Sequence, residues 1–207
     1  MISATAALQR LRTGNQRFVV ETSSQRASTS SSRRTELVAG QEPFAIILGC
    51  SDSRVPAEIV FGQGLGDLFV IRVAGNIVAP SQIGSIEFAV EVFRTPVVVV
   101  MGHTMCGAVS STLDQLERPT ASRSPNLRSI VDRIEPAVEP LLETELRHDR
   151  TKLLAHAIRA NIRAATNQVR RGSRILESLI QNNELLVVGA EYSLETGVVD
   201  FFDEPTG

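Results

Sequence analysis

"FAIILGCSDSRVPAE", residues 44–58, joins a strand to a set of reactive side chains. Residues 44–48 form a short apolar run of the kind found in strands buried on both faces. Gly49 closes the run, and Cys50, Asp52, Ser53 and Arg54 then arrive together. Three further runs match the first: "LFVIRVA" (68–74), "VVVVM" (97–101) and "LLVVGAEY" (185–192). Helical candidates lie between them at 55–61, 81–93 and 106–117, with a long helical region at 127–182 that Gly172 divides. Strands alternating with helices predict an α/β fold: an open, mostly parallel sheet with right-handed crossovers, flanked by helices. "SLETGVVDFF" (193–202) adds a turn and an apolar run, which predicts an antiparallel edge strand.

The remaining sequence adds little to this frame. Residues 2–18 fit an amphipathic helix with Ala7, Leu8, Leu11 and Phe18 on its apolar side. "ETSSQRASTSSSRR" (21–34) reads as a polar connection, its serine-rich part at 22–32. The expected organisation is one domain over 1–207, with an N-terminal helical arm and polar connection at 1–40 and the α/β core at 41–207. "FGQGLGD" (61–67) lacks the spacing of a phosphate-binding loop and reads as a tight connection into the next strand.

Composition excludes several classes. The chain has 207 residues, 43% of them hydrophobic and 21% charged, which is ordinary for a globular core. A net charge of −2 leaves no electrostatic footprint for nucleic acid or an anionic membrane. No apolar run approaches the roughly 20 residues of a membrane span. The N-terminus lacks the basic and apolar regions of a secretory signal, so a cytoplasmic location is expected. In that compartment two cysteines point to metal or redox chemistry before a disulfide.

The second cysteine stands in "MGHTMCGAVS" (101–110), where His103 and Cys106 follow the 97–101 run at once. Ligands of open α/β sheets bind beyond the carboxyl ends of the strands, where strand order reverses. If the strands near residues 44 and 97 flank that point, Cys50 faces His103 and Cys106. Two thiolates and an imidazole suit zinc, and three protein ligands leave its fourth position open, the catalytic pattern. Each residue also has a plainer reading. A cysteine at a strand end can be a small buried hydrophobe. His103 can be a hydrogen-bonded loop residue, and Asp52 a helix N-cap ahead of Pro56. A redox pair explains the cysteines but neither His103 nor the Asp52–Arg54 couple. His148 and His156 read as surface or packing residues.

An open zinc site lowers the pKa of its water towards about 7. The resulting hydroxide needs an acceptor to orient it, and ionised Asp52 could serve. An unpaired Asp52 would instead be drawn to the metal and fill the fourth position. A bidentate pair with Arg54 would hold it away.

"CSDSR" (50–54) and "HTMC" (103–106), at this separation and in this order, resemble the β-class carbonic anhydrases. Similarity extends through residues 40–76, 84–90 and 97–109, and more weakly to 187–197. The resemblance implies hydration of carbon dioxide to bicarbonate by zinc-bound hydroxide, with zinc on Cys50, His103 and Cys106 and either water or Asp52 as fourth ligand. It implies an Asp52–Arg54 dyad that orients the nucleophile or closes the site. It also implies substrate-side hydrogen bonds from Gln41 and the Gly107 amide, and an apolar carbon dioxide pocket lined by Phe69 and Phe88. That pocket is expected at the interface of a homodimer, often paired into a homotetramer, with the N-terminal helix reaching onto the partner. Arg72 and Tyr192 match a regulatory bicarbonate pocket of some bacterial members, but Ile47 stands where those members have Trp. Two other functions share these residues: a zinc hydrolase acting on a carbon dioxide analogue such as carbon disulfide, and a non-catalytic scaffold that retains zinc.

Overall fold

The computed structural model describes residues 2–20, 30–118 and 124–202. Among these, β1 (Ala45–Gly49), β2 (Leu68–Arg72), β3 (Val97–His103) and β4 (Leu186–Tyr192) run parallel, and β5 (Val199–Phe202) pairs antiparallel to β4. The order is β2-β1-β3-β4-β5. The expected open sheet with an antiparallel edge is therefore present. The chain steps from β1 to β2 on one side, then returns past β1 to β3 on the other. Strand order reverses between β1 and β3, as the placement of Cys50 opposite His103 requires.

Both of those strands are buried along their whole length. Ile46, Leu48, Val98 and Val100 enter one core cluster, and Ile47, Val97, Val99 and Met101 enter the other. Two helices cover the second cluster: α1 (Ala4–Val19) and the short α3 (Ala57–Val60), while α2 (Ser31–Leu37) buries nothing. The first cluster is covered by α4 (Pro80–Phe93), α5 (Gly107–Glu117), α6 (Pro125–Val138), α7 (Arg150–Arg171) and α8 (Arg174–Gln181). α3 and α4 thus lie on opposite faces, as crossovers of one hand moving in opposite directions require. No helix among the described residues is long and apolar enough to cross a membrane.

Two local expectations need correction. The region 127–182 is not one helix divided at Gly172. α6 ends at Val138, and two 3-10 turns, Glu139–Glu143 and Glu145–His148, precede α7. Pro140 has no amide to continue the ladder, and the side chains of Thr144 and Asp149 accept from Leu146 N and Lys152 N to cap new starts. Secondly, the polar connection does not run unbroken to residue 32: Ser30 caps α2, while 22–29 lie outside the described residues. Within the chain, α1 is seated against the sheet and α3. Ala7, Leu8 and Leu11 are buried with Phe44 and Phe61, and Gly14 passes so close to α3 that a Cβ there would fall 1.8 Å from Phe61 O. The glycine-rich 61–67 stretch is a connection as expected, closed on itself by Gly64 N donating to Asp67 Oδ2 at 2.8 Å.

Asn15 fastens α1 in place. Its Nδ2 donates to Val60 O at 3.1 Å and Gly197 O at 2.8 Å, and its Oδ1 accepts from Val199 N at 2.9 Å. Asn15→Ala removes these three hydrogen bonds, two of them buried, and leaves their backbone partners unpaired. Urea unfolding at fixed protein concentration is expected to show a loss of about 2–4 kcal/mol. A loss below about 0.5 kcal/mol would mean that α1 is held by its apolar face alone.

Candidate metal centre

Cys50 leaves the carboxyl end of β1, His103 ends β3, and Cys106 precedes the first residue of α5. Their ligand atoms lie within 4.8 Å of one another, and all three residues are buried. Met105, at φ 55°, turns the chain so that Cys106 comes back beside His103. Two bonds fix that turn to the end of β4: Thr104 N donates to Tyr192 O at 3.0 Å, and Thr104 Oγ1 accepts from Leu194 N at 3.0 Å.

His103 Nδ1 lies 2.9 Å from Thr104 O, a carbonyl that only an Nδ1–H can serve. This assigns the lone pair to Nε2, which is buried without a hydrogen-bond partner. Both cysteines are free thiols. An orphaned imidazole nitrogen and two free sulfurs, buried side by side, fit a zinc ion in type, number and spacing. The two sulfurs shift each other's ionisation in opposite directions. The hydrogen bond from Cys106 holds the Cys50 thiol down to about 4, and the same bond pushes the Cys106 thiol up. Burial works against protonation of His103, but the Cys50 sulfur and the Asp52 carboxylate beside it outweigh burial and raise its pKa.

Asp52 pairs with Arg54. Nε donates to Oδ1 at 2.9 Å and Nη2 to Oδ2 at 2.7 Å, and the Arg54 backbone amide adds a bond to Oδ1 at 3.0 Å. The guanidinium holds the carboxyl far below the usual carboxylate range. Oδ2 is also 3.8 Å from His103 Nε2, so the carboxylate borders the metal group while it is paired with Arg54. Arg72 fixes the same turn through its backbone, donating from Nε to Cys50 O at 3.0 Å and from Nη2 to Asp52 O. Ile47 lies fully buried in the core, so the position held by Trp in the regulatory pattern is occupied by packing here.

The other expected site residues divide into two groups. Gly107 opens α5 directly after Cys106 and sits at the centre. Gln41 lies before the amino end of β1, whereas Cys50 follows its carboxyl end. It lines a separate surface cavity of about 440 Å³ with Arg34, Leu37 and Leu65. Phe69 pairs with Ile46, about 10 Å back along the strand from Arg72. Phe88 is half-exposed on α4, its ring 6.2 Å from Phe69 and 5.7 Å from Phe93. One chain therefore does not bring Gln41, Phe69 and Phe88 to the metal group. His148 and His156 are exposed, as expected. The sequence reading missed Gly75, whose amide donates to Cys50 Sγ at 3.4 Å. "AGN" at 74–76 signals a turn after β2, and nothing in it signals a sulfur ligand.

The fold and site define a class: a doubly covered α/β sheet carrying a buried Cys-His-Cys group where its strand order reverses. Residues 45–199 match the family model described as carbonic anhydrase. Carbonic anhydrase 2 of Mycobacterium tuberculosis is 38% identical over 192 residues, covering 93% of this chain and 89% of that one. The carbonic anhydrase of Mycolicibacterium smegmatis is 45% identical over 133 residues, 64% of each chain. Among solved structures, a β-carbonic anhydrase of Aspergillus fumigatus superposes with TM-score 0.75 at 26% identity, covering 98% of this chain and 92% of that one. A tetrameric β-carbonic anhydrase of Sordaria macrospora gives 0.74 at 25% identity, covering 84% and 87%. The chain belongs to the β-class carbonic anhydrases.

A pH titration tests this coupling of the two thiols. Since the Cys50 pKa is lowered, its thiolate exists above about 4 and is lost as pH falls through that value. The ultraviolet thiolate absorbance of metal-free protein should show one equivalent at pH 7. No thiolate until about pH 8.5, the ordinary thiol value, would contradict the coupling.

Proposed function

We propose that the chain catalyses the reversible hydration of carbon dioxide to bicarbonate and a proton, with zinc held by Cys50, His103 and Cys106. The observation that carries this is the orphaned Nε2 of His103 between two free buried sulfurs, beside a carboxylate held by arginine, in a chain of this family. A zinc ion there would acidify water and so supply a nucleophile near neutral pH.

The chain's own groups do the rest. Ionised Asp52 only accepts hydrogen bonds. Its Oδ2, on the edge of the group, holds the hydrogen of the attacking water and so aims the oxygen's lone pair at the substrate carbon. Arg54 occupies both carboxylate oxygens and keeps them from the metal. The Gly107 amide belongs to the first turn of α5, where amides lack a partner within the helix, and it serves a substrate oxygen. Gln41, Phe69 and Phe88 complete the pocket from a second copy of the chain, Gln41 donating to the substrate and the rings excluding water from it. Phe88 and Val92, one helical turn apart on α4, are 51% and 57% exposed, which a second copy would cover. A homodimer, paired into a homotetramer as in the Sordaria relative, is the assembly we infer. The cytoplasm suits a centre built from two adjacent thiols that must stay reduced.

Zinc analysis alongside stopped-flow carbon dioxide hydration tests this reading. Cys106→Ser should lose both zinc and activity, and full zinc occupancy would contradict the ligand set. Asp52→Asn should keep zinc and lose activity by about a hundredfold or more. Arg54→Ala should release Asp52 towards the metal and slow hydration, and a rate unchanged across pH would remove the dyad from the mechanism. Zinc without hydration at any pH in the unaltered protein would favour a scaffold.

A further inference from the structure

Beyond its ligands, the metal group leans on a 3-10 turn, Ala74–Asn76, separated from β2 by Val73 alone. Gly75 in that turn has φ 68°, and a Cβ there would fall 2.8 Å from Ile134 Cδ1 and 3.1 Å from the Ala108 methyl. The turn is thus pressed between α5 and α6 in a shape that favours glycine. Its two faces are held differently. The Gly75 N–H donates to Cys50 Sγ at 3.4 Å, and the Gly75 carbonyl accepts from Asn161 Nδ2 at 2.8 Å.

Asn161 stands out in α7. Its buried neighbours on that helix are Leu153, Ala157, Ile158, Ile162, Ala165, Thr166 and Val169. An amide among them is costly to bury unless its hydrogen bonds are made. Thr166, the other buried polar residue of α7, returns its hydroxyl to Ile162 O in its own helix. Asn161, only 3% exposed, instead reaches out of the helix to the turn that touches Cys50.

We infer that Asn161 is a positioning residue of the metal centre, acting through Gly75. By fixing the Gly75 carbonyl it fixes the neighbouring amide, which stabilises the Cys50 thiolate and aims its remaining lone pairs at the metal. Partners of this kind, one shell behind the ligands, commonly set metal affinity by about 10–100-fold. The inference rests on the metal-site reading above, and its test separates the two.

The probe is cobalt(II), titrated into the metal-stripped full chain and read by its sulfur-to-cobalt charge-transfer bands and by chelator competition. Asn161→Leu keeps the branching at Cγ and removes the donor. It is expected to bind cobalt about tenfold more weakly or worse, with shifted bands. Asn161→Ser, smaller and polar, is read the same way should the leucine variant not fold. Thr166→Val is the control: it loses a buried hydroxyl from the same helix, lowers stability, and should leave affinity and bands unchanged. A folded Asn161 variant with the affinity and bands of the unaltered chain would make Asn161 a tie between helix and turn only, and overturn the inference. An unaltered chain that binds no cobalt would instead overturn the metal-site reading and take the inference with it.

Discussion

The parallel pairing of β1 with β3 is the constraint on which the centre depends. Ile46, Ile47, Leu48 and Gly49 lie opposite Val98, Val99, Val100 and Met101, so the two carboxyl ends open at the same place. Cys50 follows Gly49 and His103 stands two residues beyond Met101, which leaves a donor from each strand facing the same space. A slip of one residue would turn every side chain of a strand to the other face. Burial forbids it: alternate residues of both strands are committed to two separate apolar clusters. The same packing that forms the core therefore sets the ligand spacing.

Charge is the second constraint, because the centre gathers sulfur, imidazole and carboxylate in a place poor in water. Two arginines answer it in different ways. Arg72 grips the carbonyls of Cys50 and Asp52, and Arg54 grips the carboxylate itself. The Arg54 side chain is 53% exposed, and exposed ion pairs contribute only about 0–1 kcal/mol to folding. Its consequence is geometric. The Asp52 carboxylate is held as an anion at the border of the metal group, with both oxygens turned to the guanidinium.

The sheet was legible because its inner strands are unbroken apolar runs, and a strand buried on both faces needs nothing else. The meeting of Cys50, His103 and Cys106 was legible because each follows such a run within a few residues. The interruption between α6 and α7 was not, since Pro140, Thr144 and Asp149 stand among charged residues that suit a surface helix equally well. α2 has no buried face and hence no periodic signal. The support behind Cys50 was hidden for another reason. A backbone amide has no letter in the sequence, and Asn161 lies 86 residues from the carbonyl it holds. Only the fold, by laying α7 across the turn after β2, makes them neighbours.

The separation of Phe69 and Phe88 from the metal group then acquires a physical sense under the proposed reaction. Carbon dioxide is apolar and needs an apolar wall against the reactive group, yet the ligands stand at the carboxyl ends of β1 and β3. Phe69 and Phe88 lie at the β2 edge, with Phe69 several residues back along the strand and Phe88 half in water. The two-fold axis of the proposed homodimer would resolve both problems in one contact. In the proposed homodimer each copy would lay its own apolar edge over the other's centre, so the patch that would be a liability on a monomer would become the wall of the neighbour's pocket. On that arrangement dimerisation and assembly of the substrate site are one event, and a chain unable to pair would keep its metal ligands together while losing the surface that holds the substrate.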